Sequence, residues 1–412
     1  MNNLFLTFCF SLFLAFSSKA NNIDLDNFYS VKSENNYSIV NRNEKIDYDF
    51  LLSRDINSIK EEQKISLFVV FDKQNKSIYK NTIYTIDYLT SLSNIPSSCI
   101  LSIGFQDGME RFLLSKYKEN GGGLDDFLPA VKSLIHDLLN EYDINISNVV
   151  LIGHSRTAYI ATQFLFNYPI FVNAAIVGSS QDISTEKEIE VYADFLKTIE
   201  DKKLKRHYLF SAGKDNMGDG DQMFTDSLIA FFKNNPPNAF FFPKGEVFNC
   251  DHYNSLGISL NKNLLDLFSG YNISLQYSFD LLNSGGISDY NNMDFNEIYS
   301  SINDSLGMKF EMDISFYISM FYGFMNDYNG FYETNRMEIA QKVITEGIEK
   351  YGSDSRFIYH YVYYLLEKKQ TEKAYSYFVN NLSNFNLYEW KSKSDLLDEI
   401  ALISELFKEY TE

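Results

Sequence analysis

Six short apolar runs, Lys64 to Phe71, Cys99 to Gly104, Asn148 to Ile152, Ala174 to Val177, His207 to Ser211 and Ala239 to Phe242, alternate along the chain with segments of helical periodicity. Several of the runs are unbroken Val, Ile, Leu and Phe, the pattern of strands buried on both faces. Between two of them, Asp125 to Tyr142 places Phe127, Leu128, Val131, Leu134, Ile135, Leu138 and Leu139 at helical spacing. Strand and helix repeated in this order predict an α/β fold, a doubly wound and mostly parallel sheet with helices on both faces.

The 412 residues exceed what one hydrophobic core usually organises, so a second unit is expected. Past residue 262 the strand signal becomes sparse, and residues 302–412 read as successive helices rich in Tyr, Phe, Leu and Glu. A 34-residue self-similarity relates Phe324 to Ile358, Phe331 to Leu365, Ala340 to Ala374 and Ile344 to Phe378. That spacing resembles tetratricopeptide repeats, where a small residue lets paired helices approach. Two units are visible, fewer than the roughly three that such arrays need to stand alone, so the helices are expected to pack on the sheet domain. The expected order is a leader at 1–20, an α/β domain at 21–262, a connecting segment at 263–301 and a smaller all-α, tetratricopeptide-like domain at 302–412.

The leader is apolar from Leu4 to Phe16 and ends in Ser18-Lys19-Ala20, a secretory signal pattern with cleavage after Ala20. It predicts a periplasmic or secreted protein. No later apolar run reaches the ~18 residues of a membrane-spanning helix. A net charge of −19, from 55 acidic and 36 basic residues, opposes nucleic-acid binding, which depends on Lys and Arg neutralising phosphates. Removal of the leader takes Cys9 with it and leaves Cys99 and Cys250, one at the start of a strand and one beyond the end of another, so both are expected as free thiols. Neither a metal-binding spacing nor a Cys-x-x-Cys pair is present, and no metal or cofactor is expected.

The chemistry is concentrated in Val149-Val150-Leu151-Ile152-Gly153-His154-Ser155-Arg156-Thr157-Ala158, an apolar strand, a Gly-x-Ser turn and the start of a helix. A nucleophile elbow needs this arrangement, because a tight strained turn lifts the serine hydroxyl out of the sheet and aims a helix N-terminus at the developing oxyanion. Thr157 stands where the second glycine of Gly-x-Ser-x-Gly usually is. In such a fold the acid and then the base follow the serine along the chain. Of the histidines after Ser155, His207 opens a strand and His360 lies among the C-terminal helices, whereas His252 follows the last strand and fits the base. Asp215, in the glycine-containing turn after Tyr208 to Ala212, is the leading candidate for the acid; Asp219, Asp221 and the more distant Glu186 are its rivals. The oxyanion donors expected are the backbone N–H of Arg156 and one after the Val69 to Asp72 strand end, near Lys73.

Residues 49–254 resemble an esterase family of α/β-hydrolases that includes esterase D and the siderophore esterases. The resemblance rests on Phe71-Asp72, where that family often has Leu-Asp-Gly, on Gly121-Gly122-Gly123 with Phe127 before a long helix, on Gly153-His154-Ser155, and on Asp251-His252 with Ser255. It implies hydrolysis of a small-molecule carboxylic ester through an acyl-enzyme, in an exported bacterial protein. The same triad also serves amides; the resemblance points to esters. A second reading is an interaction protein that has lost its chemistry and binds a protein partner through its helices. Thr157, and Lys73 where a glycine is common, favour that reading; Ser, acid and His kept in order favour the enzyme.

Overall fold

The computed structural model describes residue 25 and residues 28–38, 45–53, 64–105, 124–180, 183–214, 221–271, 295–310, 312–325, 336–352 and 354–384, with 401, 403, 405 and 407. The expected leader at 1–20, the glycine run at 121–123, Asp215, Asp219 and Phe331 lie outside the described residues.

Eight strands form one sheet: β1 (Phe28–Ser38), β2 (Lys45–Ser53), β3 (Lys64–Val70), β4 (Ser98–Gly104), β5 (Asn145–His154), β6 (Ala174–Gly178), β7 (Arg206–Gly213) and β8 (Phe241–Phe248). Their spatial order is β1-β2-β4-β3-β5-β6-β7-β8. β3 to β8 run parallel, and β1 and β2 are antiparallel to their neighbours. Five of the six apolar runs lie on strands as expected, and the sixth, Ala239 to Phe242, straddles the turn into β8, which starts at Phe241. The polar lead-in adds two that those runs do not announce. β2 carries a period-2 signal, with Ile46, Tyr48 and Phe50 buried on one face and Asp47 and Asp49 between them.

The sheet divides its side chains cleanly. Leu67 and Val69 of β3 with Leu151 of β5 face a core closed by α2 (Leu124–Glu141), α3 (Arg156–Asn167), α4 (Glu186–Asp201) and α5 (Asp221–Asn234). Phe68, Val70, Val150 and Ile152 face the opposite core, under α1 (Lys76–Ser91) and α6 (Ser255–Leu267). This alternation follows from the strand period of two, and helices on both faces explain why the strands read as continuous apolar runs.

The second core does not stop at α6. It continues into α7 (Phe295–Leu306), α8 (Ile314–Met325), α9 (Arg336–Tyr351), α10 (Ser355–Glu367) and α11 (Thr371–Asn381). Phe68 of β3 meets Phe268 at 5.8 Å between ring centroids, and Phe268 meets Phe310 at 5.8 Å. The expected boundary at residue 262 therefore falls inside α6, whose Leu264 and Leu267 belong to this shared core. Ala340 and Ala374, the small residues of the 34-residue comparison, are fully buried on α9 and α11.

Polar contacts fix the segment after α7 to the starting ends of the parallel strands. The buried Asn148 amide donates to the Lys309 carbonyl at 2.7 Å and accepts from the Lys309 N–H at 2.9 Å. His207 Nε2 bonds the Leu306 carbonyl at 2.7 Å, and Lys205 Nζ the Ser305 carbonyl. Among the described residues Cys99 and Cys250 are free, the first buried, and no helix is long and apolar enough to cross a membrane.

Three histidines are held neutral by burial. It depresses His360 to about 3 and His154 to about 4, and lowers His207 as well, against an ordinary value of 6.5. Unfolded chains protonate these rings below pH 6.5 while the folded state resists, so their stability contribution is complete above that pH and is lost as pH falls towards the folded values. We expect the thermal midpoint, followed by circular dichroism, to drop between pH 7 and pH 5, and His360→Phe to flatten that slope.

Candidate active site

Ser155 follows β5 with φ 59 and ψ −121 and is the residue that precedes α3. A non-glycine residue in this region costs ~1–3 kcal/mol and persists only where the surroundings enforce it. Here the enforcement is tight packing of helix on strand: a Cβ on Gly153 would lie 2.6 Å from the Thr157 carbonyl oxygen. The Ser155 N–H is fixed by the Gly178 carbonyl at 2.8 Å. A serine preceding a helix ordinarily caps it with its side chain. Ser155 does not, so its hydroxyl is not committed to the helix. Arg156 follows as the first helical residue, at the positive end of the helix dipole.

Thr157, the departure from the elbow pattern, is buried and has a definite task. Its hydroxyl donates to Asp72 Oδ2 at 2.8 Å, and the His154 N–H reaches the same oxygen at 2.8 Å. Asp72 lies just past β3, so its carboxylate braces the elbow from the neighbouring strand. A hydrogen bond to a charged group is worth about 1.5–3 kcal/mol.

His252 arrives on the loop after β8. Its Nδ1 lies 2.6 Å from Asp221 Oδ2, and since a carboxylate only accepts, Nδ1 carries a proton, which in the neutral ring leaves the lone pair on Nε2. Asp221 is buried as the first residue of α5. The loop is pressed onto the elbow: His154 Nε2 donates to the His252 carbonyl at 2.7 Å, and the two imidazoles stand 4.8 Å apart. Burial keeps His154 neutral, with the hydrogen bond to His252 opposing that effect. Gly213, at the end of β7, permits the approach, because a Cβ there would lie 2.4 Å from the Cys250 carbonyl oxygen.

These groups collect at the carboxyl ends of parallel strands, where open α/β sheets place their sites. Neither a protein-family model nor a curated protein matches the chain. Solved structures do. An IroE-like serine hydrolase from Shewanella oneidensis superposes with a TM-score of 0.57 at 15% identity, covering 76% of this chain and 98% of that one. The fold is that of an α/β-hydrolase. An uncharacterised protein from Capnocytophaga ochracea DSM 7271 matches with a TM-score of 0.51 at 12% identity, over 92% of this chain and 99% of the other.

On this sheet Ser155 lies between β5 and α3, and His252 lies on the loop beyond β8. Asp215 and Asp219 lie outside the described residues, and the carboxylate bonded to His252 is that of Asp221. Glu186 is exposed on the first turn of α4. Two residues on, Glu188 is buried: burial alone would raise its carboxyl, but hydrogen bonds from Tyr159, Thr185 and Ser184 hold it below its ordinary value. Lys73 does not offer the expected donor. Its N–H bonds the Ile103 carbonyl at 3.2 Å, and its ammonium pairs with Asp47 at 2.6 Å and Asp49 at 3.0 Å. Among the described residues no group of three or more His, Cys, Asp or Glu could hold a metal ion.

Thr157→Val keeps the shape of the side chain and removes the donor to Asp72. We expect it to destabilise the protein by about 1–3 kcal/mol, measured by urea unfolding, because a buried carboxylate loses a hydrogen bond.

Proposed function

We propose that this protein is a serine hydrolase acting on carboxylic esters, with Ser155 as nucleophile, His252 as base and Asp221 as acid. The observation that carries the reading is the His252 Nδ1 to Asp221 Oδ2 contact of 2.6 Å on a loop bonded to the residue before a strained Ser155. The fold shared with a protein described as an IroE-like serine hydrolase supports it.

Ser155 Oγ attacks the ester carbonyl while His252 Nε2 takes its proton, and Asp221 stabilises the imidazolium that forms. The tetrahedral oxyanion develops at the N-terminus of α3, where the N–H of Arg156 and the helix dipole favour negative charge. His252 then gives its proton to the departing alcohol. Water, activated by the same imidazole, releases the acid from the acyl-enzyme. No step requires a cofactor. Export through the leader at 1–20 belongs to the same reading and rests on the apolar run and Ser18-Lys19-Ala20. Of the two departures that favour an inactive interaction protein, Thr157 is bonded into the elbow, which supports the enzyme reading, while Lys73 remains on the other side.

The direct test is hydrolysis of 4-nitrophenyl acetate. Wild type should turn it over and Ser155→Ala should not; a folded wild type inert to short and long acyl chains and to lactones would sink the proposal. Asp221→Asn should lower kcat by roughly 10⁴-fold, the scale set by losing the correct histidine tautomer. Asp215→Asn should stay within a few-fold of wild type, and the reverse result would move the acid back to Asp215.

A further inference from the structure

Among the described residues, the serines that follow the adjacent strands β5 and β6 both hold a left-handed backbone, Ser155 with φ 59 and Ser179 with φ 52. The triad uses the first. It makes no use of the second. Glycine is the default in this region, because a Cβ crowds the following carbonyl. Ser179 nevertheless keeps a side chain there, buried, with its hydroxyl directed at the triad.

Its Oγ donates to Asp221 Oδ2 at 2.8 Å, the same oxygen that accepts His252 Nδ1–H at 2.6 Å. It also lies 2.8 Å from Ser255 Oγ and 3.4 Å from the His252 carbonyl. A hydroxyl has one proton, and a carboxylate is the strongest acceptor in reach, so Ser179 donates to Asp221 and accepts from Ser255. Ser255 Oγ is also 3.0 Å from the His252 carbonyl, where His154 Nε2 already donates. His252 is thus held twice, through its ring by an oxygen that Ser179 fixes and through its backbone by His154, with the Ser255 hydroxyl spent on Ser179.

We propose that Ser179 is a positioning residue for the Asp221–His252 pair, acting through Asp221 and not on the reacting atoms. The inference rests on the triad assigned above. The second hydrogen bond on Oδ2 fixes the plane of the carboxylate and so the direction in which the imidazole points. It also divides the acceptor strength of that oxygen between two donors, which moderates the grip on His252 Nδ1–H.

The test is Ser179→Gly in the full chain. Glycine relieves the backbone at a φ of 52 while the buried Asp221 carboxylate loses one hydrogen bond, so the two effects oppose and the thermal midpoint should stay close to that of wild type. We expect kcat on 4-nitrophenyl acetate to fall on the order of 10- to 100-fold with KM little changed, as misplacement of a catalytic group requires. We also expect the His252 Nδ1–H proton resonance, assigned by its loss in His252→Gln, to move downfield, since Oδ2 then serves one donor. A resonance that does not move overturns the inference, whatever happens to kcat, and so does a shifted resonance with unchanged kcat. Because the resonance is read without substrate, the two ideas fail separately: a shifted resonance in a protein whose wild type hydrolyses no ester supports Ser179 as the positioning residue and removes only the esterase reading.

Discussion

The turn at Ser155 exists because α3 returns against β5 closely enough to leave no room for a side chain at Gly153. Everything in the site is referred to that approach. It sets the strained backbone of the serine, leaves its hydroxyl uncommitted to the helix, and brings His154 to where it can bond the His252 loop. The strain is local, but its support is not. It comes from Asp72 beyond β3, Gly178 at the end of β6 and the loop beyond β8, so three other strand ends hold one residue in place. A site braced in this way is preorganised, and preorganised dipoles need not reorient as charge develops.

The same logic separates function from support along each strand. The finishing ends of β5 and β6 carry Ser155 and Ser179, with Asp221 on the helix after β7 and His252 beyond β8. The starting ends of β5 and β7 carry Asn148 and His207, which hold the segment leading into the C-terminal helices. One end of the sheet carries the candidate site and the other the attachment of the C-terminal helices. The apolar side chains between them alternate strictly between two cores.

Much of this was legible in the sequence, for identifiable reasons. Strands buried on both faces announce themselves as apolar runs, and the strand–turn–helix at Ser155 is local in sequence, so the placement of Ser155 between β5 and α3 and of His252 beyond β8 was legible. β2 was harder to read, because Asp47 and Asp49 interrupt Ile46, Tyr48 and Phe50 and lower the local apolarity. That Asp221 bonds His252 could not be read from sequence, since Asp215 and Asp219 also follow β7 closely and the contact depends on where α5 begins. Thr157 looked like a defect because its partner Asp72 is 85 residues away. Lys73 failed as an oxyanion donor for a similar reason, the carbonyl that takes its N–H belonging to a neighbouring strand.

The aromatic relay from Phe68 through Phe268 to Phe310 gives the C-terminal helices a meaning that a domain diagram hides. In many two-part proteins the parts are modules, exchangeable because each closes its own core. Here one wall of the sheet is roofed partly by α1 and α6 and partly by helices more than two hundred residues downstream of β3. The sheet and the helical extension are therefore two sides of one core, and a change of side-chain size on either facing surface is felt by the other.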